Sequence, residues 1–526
     1  MPLTFFTWIL AFLPVLAVLV LMLGFGWGGS RAGAVSWFAA LIVAAAFFGA
    51  GPELLAYAQV KAVLLSLDVL YIIWTALLLF HTAAEAGALT SIGRALTALT
   101  PDRMMQGLLL GWLFASFLQG LGGFGVPVAV AAPLLVSLGF SPVTAVVMAC
   151  VGHGWAVNFG SLATSFQTLL AVTNLPGELL AADSAILLGI ASYFSGALVA
   201  FLADGWKGLL RGLPAVLVLG TVMSVSQYLL VTNGIWTLGA TGGAMVGLLA
   251  GLALARLPFY RRAAPQAQPA ADFTSRNGKQ PHSLWLAVSG YVILVLLAFG
   301  INLIPPVSTL MSSVQLNLNF PQLETANGWV TPAGTGRPID IFGHPGAILL
   351  YASLLSYFIY KKSGSYDPGA EKRIISKVTR GAVNSSLGIL AMVGMAVVMT
   401  HAGMTNLLAQ GLSLAFGPIY PLVSPFIGAL GAFITGSNNN SNVLFAVLQM
   451  NTAQLLGLPV PLILGAQTAG GSLGSIMAPA KVIVGCSTVG LHREEGRVVG
   501  KVIAYGLLPV AVVAAAVWVM AGVGSP

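Results

Sequence analysis

The 526-residue chain is 57% hydrophobic and only 7% charged, where a soluble domain carries about 25% charged residues. With a mean hydropathy of +0.93, it cannot cover an ordinary water-facing surface, which excludes a soluble enzyme and a disordered chain; two cysteines, Cys150 and Cys486, are too few for a disulfide scaffold. A net charge of +8 would suit nucleic acid or anionic lipid, but the positive-inside bias of membrane proteins produces the same excess.

Apolar runs long enough to cross a bilayer occur at 5–23, 34–50, 62–80 and 104–118, then at 186–203, 211–231, 235–256, 284–304, 346–360, 382–402 and 501–523. The first run lacks a basic flank and a small-residue cleavage site, so it is read as a retained helix and not a signal peptide. Alternating the sides of these spans places the basic loops 256–282 and 361–380 on one face. The same walk collects Arg31, Arg94, Arg103, Lys207, Arg211, Arg493, Arg497 and Lys501 there. In all, 19 of the 22 Lys and Arg fall on that face, Lys61 and Arg337 fall on the other, and Lys481 sits inside an apolar stretch. This predicts a multi-pass protein of the cell (inner) membrane with both termini external.

Two regions, 117–172 and 405–490, are apolar but chopped by Gly, Pro and Asn. Their elements come in matching order. Leu121-Gly-Gly-Phe124 pairs with Leu430-Gly-Ala-Phe433 (offset 309), Gly139 with Gly457 (offset 318), and Phe159-Gly-Ser161 with Leu473-Gly-Ser475 (offset 314). Weak internal symmetry of this kind marks the repeats of secondary transporters, whose ligand sites lie where matching helices break near the midplane. A helix broken inside the bilayer exposes N–H and C=O groups that are costly unless they line a cavity or meet a ligand, and a half-helix N-terminus favours an anion. Thr435–Asn442 carries seven polar side chains in eight positions, too many for a lipid-facing stretch; close packing of glycine-rich helices is the competing explanation for either region alone. Gly120-Leu-Gly122-Gly-Phe-Gly125 satisfies G-x-G-x-x-G, but it follows an apolar helix and no acidic residue occurs in the next 50 positions, so the dinucleotide reading fails.

Ionisable groups inside apolar segments are functional suspects. Lys481 suits an anionic ligand, or snorkels, or pairs with a remote carboxylate. Asp68 is a proton carrier, a Lys481 partner or a structural aspartate; His153, flanked by glycines, is a ligand, a proton carrier or a packed histidine. His81, Glu85 and His401 fall near interfaces. The six histidines show no metal-ligand spacing, and no Walker A loop or Gly-x-Ser-x-Gly elbow is present, so neither a metal, a cofactor nor an enzyme is expected.

Phe117–Pro127 with Leu138–Pro142, Thr435–Phe445, Gln449–Gln454 and Thr468–Pro479 together resemble the lactate/glycolate permease family. The resemblance covers 104–165 and 425–490 closely and the rest by hydropathy. It implies an all-α polytopic membrane protein of two inverted repeats with re-entrant hairpins and broken transmembrane helices, divided into scaffold and transport regions. It also implies proton symport of a small 2-hydroxymonocarboxylate, in preference to Na+ coupling, by an elevator movement. Related transporters in that group are often dimers, so a homodimer is the implied assembly; its remaining partners are the lipid bilayer and the anion, with no nucleic acid. The halves are 1–256, holding the broken region 117–172, and 284–526, holding 425–490, joined by a basic cytoplasmic linker at 257–283.

The expected substrate contacts are Gln119, Gly122, Gly123, Gly125, His153 and Asn158 from the first half, with Ser437, Asn438, Asn440, Ser441, Asn442, Gly470, Gly471 and Lys481 from the second. Asp68 and His153 are the proton-coupling candidates. In the family an acidic residue is usual at the position of Gln119 and another within Thr435–Asn442, where this chain has Asn438 and Asn439, and a lysine usual near Ser475 stands here at Lys481. Another carboxylate, a sulfonated anion with different coupling, or an anion channel therefore stay open as alternatives.

Overall fold

The computed structural model describes residues 1–526 except 26, 98, 99, 124, 261–282, 336–338, 492, 493 and 524–526. Phe124, Arg261, Arg262, Arg276, Lys279, Arg337, Arg493 and most of the 257–283 linker lie outside the described residues.

Helices α1 (Phe5–Leu23), α2 (Gly29–Ala46) and α3 (Pro52–Glu85) open the chain, followed by the short α4 (Ala88–Thr97). A rod from α5 (Arg103–Gly107) through a π-helical stretch at Leu108–Phe114 into α6 (Ala115–Leu121) then turns back after Gly122 and Gly123 into α7 (Val126–Ser137), which packs against both the π-helical stretch and α6. The next helix is broken: α8 (Pro142–His153) ends in an irregular stretch before α9 (Thr164–Thr173). α10 (Gly177–Thr232) is two helices joined at Asp204 and Gly205, whose backbone is non-helical (Gly205 φ 61°, ψ −149°); the sequence runs 186–203 and 211–231 are its two legs. Arg211 reaches from the second leg to Asp102, which caps α5 by accepting from Met105 N. α11 (Gly239–Ala255) and α12 (Leu284–Leu303) precede the short α13 (Pro305–Met311).

A long irregular hairpin follows, held by three antiparallel pairs: Gln315–Leu316 with Ile339–Asp340, Asn319–Phe320 with Gly334–Thr335, and Leu323–Glu324 with Val330–Thr331. Its tip docks on the α2–α3 turn, where Ala326 N donates to Gly49 O at 2.8 Å. The remainder is α14 (Pro345–Lys362), α15 (Ala370–His401), α16 (Met404–Phe416), α17 (Tyr420–Thr435), α18 (Asn438–Leu455), α19 (Val460–Met477), α20 (Pro479–Thr488) and α21 (Glu495–Val523). Among the described residues ten helices are long and apolar enough to span a membrane, eleven when the pair α19 and α20, bent by 41°, counts as one span.

The order α3, α4, hairpin, broken helix recurs as α15, α16, hairpin, broken helix. Glu85 and His401 end the matching long helices 316 positions apart, and α9 and α20 are both ten residues long. The finer register differs from the motif pairing. Gly122 and Gly123 form a hairpin turn, whereas Leu430–Phe433 lies inside α17, ahead of the turn at Gly436 and Ser437. Likewise Phe159–Ser161 is in the break itself, whereas Leu473–Ser475 is still helical and the second break is at Ala478. Short glycine motifs serve both turns and helix contacts, so their alignment alone does not locate the turn.

Three buried clusters organise the packing. One joins α1–α3 to α15 and α16 and takes in Val443, Leu444, Phe445 and Leu448 of α18; a second, larger, gathers α5–α11 with α17–α21; the third joins α3 to α12 and α14. Within lipid, apolar side chains gain little by leaving the hydrocarbon, and small residues that let backbones touch hold helices together. α17 and α19 show this: a Cβ on Gly470 would sit 1.9 Å from Pro425 O, and one on Gly474 2.2 Å from Ala429 O.

Candidate functional site

The two hairpin turns and the two breaks meet at one small cavity. From the first half it is lined by Gln119, Gly123, Val157, Ser161, Thr164 and Ser165, and from the second by Gly436, Ser437, Asn438, Asn439 and Lys481. The concave space measures about 290 Å³ including its mouth, and its enclosed part holds little more than a water molecule.

Local backbone chemistry shapes each wall. Gly436, at φ 72°, ends α17 in the left-handed conformation that glycine adopts without steric cost. Ser437 then caps α18 from an extended conformation (φ −147°, ψ 128°), and its side chain does not satisfy the helix's first N–H groups. On the other wall Ser161, Leu162 and Ala163 have φ of 46°, 59° and 63°. Three consecutive left-handed residues other than glycine cost about 1–3 kcal/mol each. They are held by the end of α6: Ser161 N donates to Gln119 O (2.9 Å) and Leu162 N to Gly120 O (3.3 Å). The result aims the first turn of α9 at the first turn of α18. The Ser161 hydroxyl lies so close to Gly123 that a Cβ there would meet it at 2.1 Å.

Side chains tie the walls together. Ser165 Oγ donates to Asn439 Oδ1 at 2.6 Å, and Asn442 Nδ2 to Ser165 O at 3.0 Å. The Thr468 hydroxyl is a node: it donates to Asn158 Oδ1 (2.6 Å) and accepts from Asn438 Nδ2 (3.2 Å) and Asn442 Nδ2 (2.9 Å). Lys481 is buried in the first turn of α20 and donates to Ser475 Oγ at 3.1 Å.

Among the described residues no Asp or Glu lines the cavity. One ammonium and two helix N-termini, each equivalent to roughly half a positive charge, therefore face a space whose other walls are hydroxyls, amides and glycine. Such a space favours a small anion.

Of the residues expected from sequence, Gln119, Gly123, Ser437, Asn438 and Lys481 line this cavity. Gly122 packs on the Phe80 ring, and Gly125 starts α7 against Val484. His153 ends α8, buried, with Nδ1 2.6 Å from Ala149 O. Asn158 and Asn442 serve the Thr468 node, and the Ser441 hydroxyl donates to Gly428 O (2.7 Å). Asn440 lies in the first turn of α18 with a buried, unpaired Oδ1. Gly470 meets Pro425, and Gly471 lies under Asn438, whose Oδ1 would be 2.0 Å from an added Cβ. Asp68 is remote from this cavity, 3.0 Å from His344 Nε2 and on the wall of a different one. Val157, Ser161, Thr164, Ser165, Gly436 and Asn439 were absent from the expected contacts; Thr164-Ser165 ahead of an apolar run is a helix-start signal that points to the second N-terminus.

Comparison with known proteins gives the chain its relatives. It is 29% identical over 455 residues to an L-lactate permease of Halalkalibacterium halodurans, covering 83% of this chain and 82% of that one. It is 28% identical to an L-lactate permease of Bacillus subtilis (92% and 91% covered) and 26% identical to the glycolate permease GlcA of Escherichia coli (95% and 93%). Among solved structures, the Alcanivorax borkumensis YdaH transporter aligns with a TM-score of 0.45 at 16% identity, over 86% of this chain and 85% of that one. The family model described as L-lactate permease matches residues 7–524. The chain belongs to the L-lactate permease family and is a multi-pass membrane transporter, not an enzyme.

Proposed function

We propose that this permease is a secondary carrier for a small 2-hydroxymonocarboxylate, lactate or glycolate, bound in the cavity between the two hairpin turns. The observation that carries the reading is the convergence of two helix N-termini and Lys481 on a space with no carboxylate among the described residues of its walls. The substrate carboxylate accepts from backbone N–H groups in the first turns of α9 and α18, where Phe166 N is already given to Asn158 O, and balances the Lys481 charge. Its 2-hydroxyl meets the amides and hydroxyls of Gln119, Ser165 and Asn439, and Val157 is the apolar wall against the rest of the molecule. Asn440, Ser441, Asn442, Asn158, Gly470 and Gly471 act one layer out, holding the walls in register.

Coupling to a proton, with Asp68 and His153 as carriers, fits this scheme. An elevator movement fits the packing of α1–α3 with α15 and α16, along which α18 and the other site-bearing helices would slide. The halves 1–256 and 284–526, an inner-membrane location with external termini and a homodimeric assembly complete the proposal.

Uptake of radiolabelled L-lactate and glycolate into proteoliposomes, with and without an inward proton gradient, tests it. Saturable uptake accelerated by the gradient and showing counterflow is expected. Uptake of neither, with another carboxylate or a sulfonate accepted instead, would move the substrate class; flux without counterflow would make the protein a channel.

A further inference from the structure

Two concave spaces larger than the central one lie outside it, and the internal repeat relates them. Lys61 stands on α3 and Lys377 on α15, 316 positions apart, the spacing that also separates the helix ends Glu85 and His401. Lys61 lines one space of about 870 Å³, together with His401 from the end of α15. Lys377 lines another of about 1020 Å³, together with His81 from near the end of α3. Each cavity thus takes its lysine from one of the paired helices and its histidine from the other, with the roles exchanged. Lys61 and His81 are 20 residues apart on α3, which is about 30 Å at 1.5 Å per residue, the thickness of a bilayer's hydrocarbon core. The two cavities therefore belong to opposite faces of the membrane.

Each presents an ammonium group: the Lys377 cavity is strongly cationic, while at Lys61 the one carboxylate among the described lining residues, Asp68, is turned to His344. The Lys61 ammonium lies over the Phe320 ring, 5.8 Å from its centroid, and among the described residues no carboxylate is within ion-pair distance of it. Asp68 also lines that cavity, in contact with His344. Val443 and Val447 of α18 form its inner wall, the nearer of them one helical turn from Asn439. On the opposite face Lys372, Arg373, Lys377 and Arg380 line the cavity, and Glu85 beside it is 2.5 Å from Arg373 Nε and 3.2 Å from Lys377 Nζ. A charged amine at the edge of the apolar zone is costly to keep without a role, and a positive cleft raises the local concentration of anions.

We infer that Lys61 and Lys377 mark two matched anterooms, one on each face, in which the anionic substrate gathers before it reaches the central site. The substrate class rests on the carrier reading above; the positive potential of the anterooms does not.

Two measurements test this. In proteoliposomes at substrate well below saturation, Lys61→Gln lowers the initial rate about three- to tenfold at low ionic strength, the gap closes at about 0.3 M salt, and Lys61→Arg stays near wild type. A loss independent of salt and shared by the arginine variant would mark a packing role and overturn the inference. The second measurement needs no substrate. Cysteines at Leu64 and Ser376, which line the two cavities, are modified with anionic and cationic methanethiosulfonates; native Cys150 and Cys486 are buried. The anionic-to-cationic rate ratio at Leu64→Cys falls several-fold with Lys61→Gln and that at Ser376→Cys with Lys377→Gln, each from its own face. Unchanged ratios would overturn the anterooms even in a working carrier; a changed ratio in a protein that moves no hydroxy acid would retain them and sink only the substrate class.

Discussion

Lys481 has the largest predicted effect of any single side chain. Among the described residues it is the only ammonium in the cavity wall, so Lys481→Gln removes the group that balances the substrate charge; saturable uptake is expected to fall at least tenfold, with partial retention in Lys481→Arg. Wild-type uptake in Lys481→Gln would remove it from the site. Ser161 offers a prediction of opposite sign for stability and function. Its left-handed φ of 46° favours glycine by about 1 kcal/mol, so Ser161→Gly should raise the thermal unfolding temperature while weakening substrate binding through the lost hydroxyl. Both shifts are read on one purified sample, by thermal unfolding and by substrate titration. That Lys481 is an oddity was legible from sequence, because a lone amine in an apolar run is visible in one dimension. The left-handed turn was not, since Ser-Leu-Ala carries no glycine to announce it.

At the scale of elements, the site depends on α9 and α18 meeting end to end. Ser165 Oγ to Asn439 Oδ1 is the bond that joins their first turns. A double-mutant cycle with Ser165→Ala and Asn439→Ala should show coupling of about 0.5–1.5 kcal/mol in thermal unfolding, the net worth of one buried hydrogen bond; additive effects would mean that the two N-termini are positioned independently. The existence of both broken regions followed from glycine, proline and asparagine interrupting apolar runs. Their register did not: the hairpin turn at Gly436 and Ser437 lies beyond Leu430–Phe433, the motif whose pattern matches Gly122 and Gly123. Helix–helix contact selects small residues as strongly as a turn does, and Gly470 and Gly474 against α17 are the case in point.

For the whole molecule, the face that α18 packs on the cluster of α1–α3, α15 and α16 is the boundary across which the site-bearing helices would move in the proposed transport step. Leu65 on α3 and Val447 on α18 face the same cavity across that boundary. Cross-linking cysteines placed at both positions should arrest uptake, with recovery on reduction, while each single variant stays active. Full activity of the cross-linked protein would rule out sliding at this boundary. Asp68→Asn, which alters the contact with His344, should remove acceleration by a proton gradient but leave counterflow; retained acceleration would eliminate Asp68 as the proton carrier.

Hydropathy and the spacing of glycine, proline and asparagine are properties of neighbours along the chain, and they alone determined that this is a helical membrane protein with two broken, repeated regions. The substrate class suggested by resemblance came from short motifs of the same local kind. Tertiary structure decided which polar groups face one another. Ser165 and Asn439 are 274 positions apart, and nothing local to either says that they touch. Most of the Thr435–Asn442 polar run was free, by sequence, to face a ligand. Folding turned Ser441 and Asn442 inward to satisfy neighbouring backbone and side-chain groups, because a buried polar atom in lipid must find a partner, and left Ser437, Asn438 and Asn439 at the cavity.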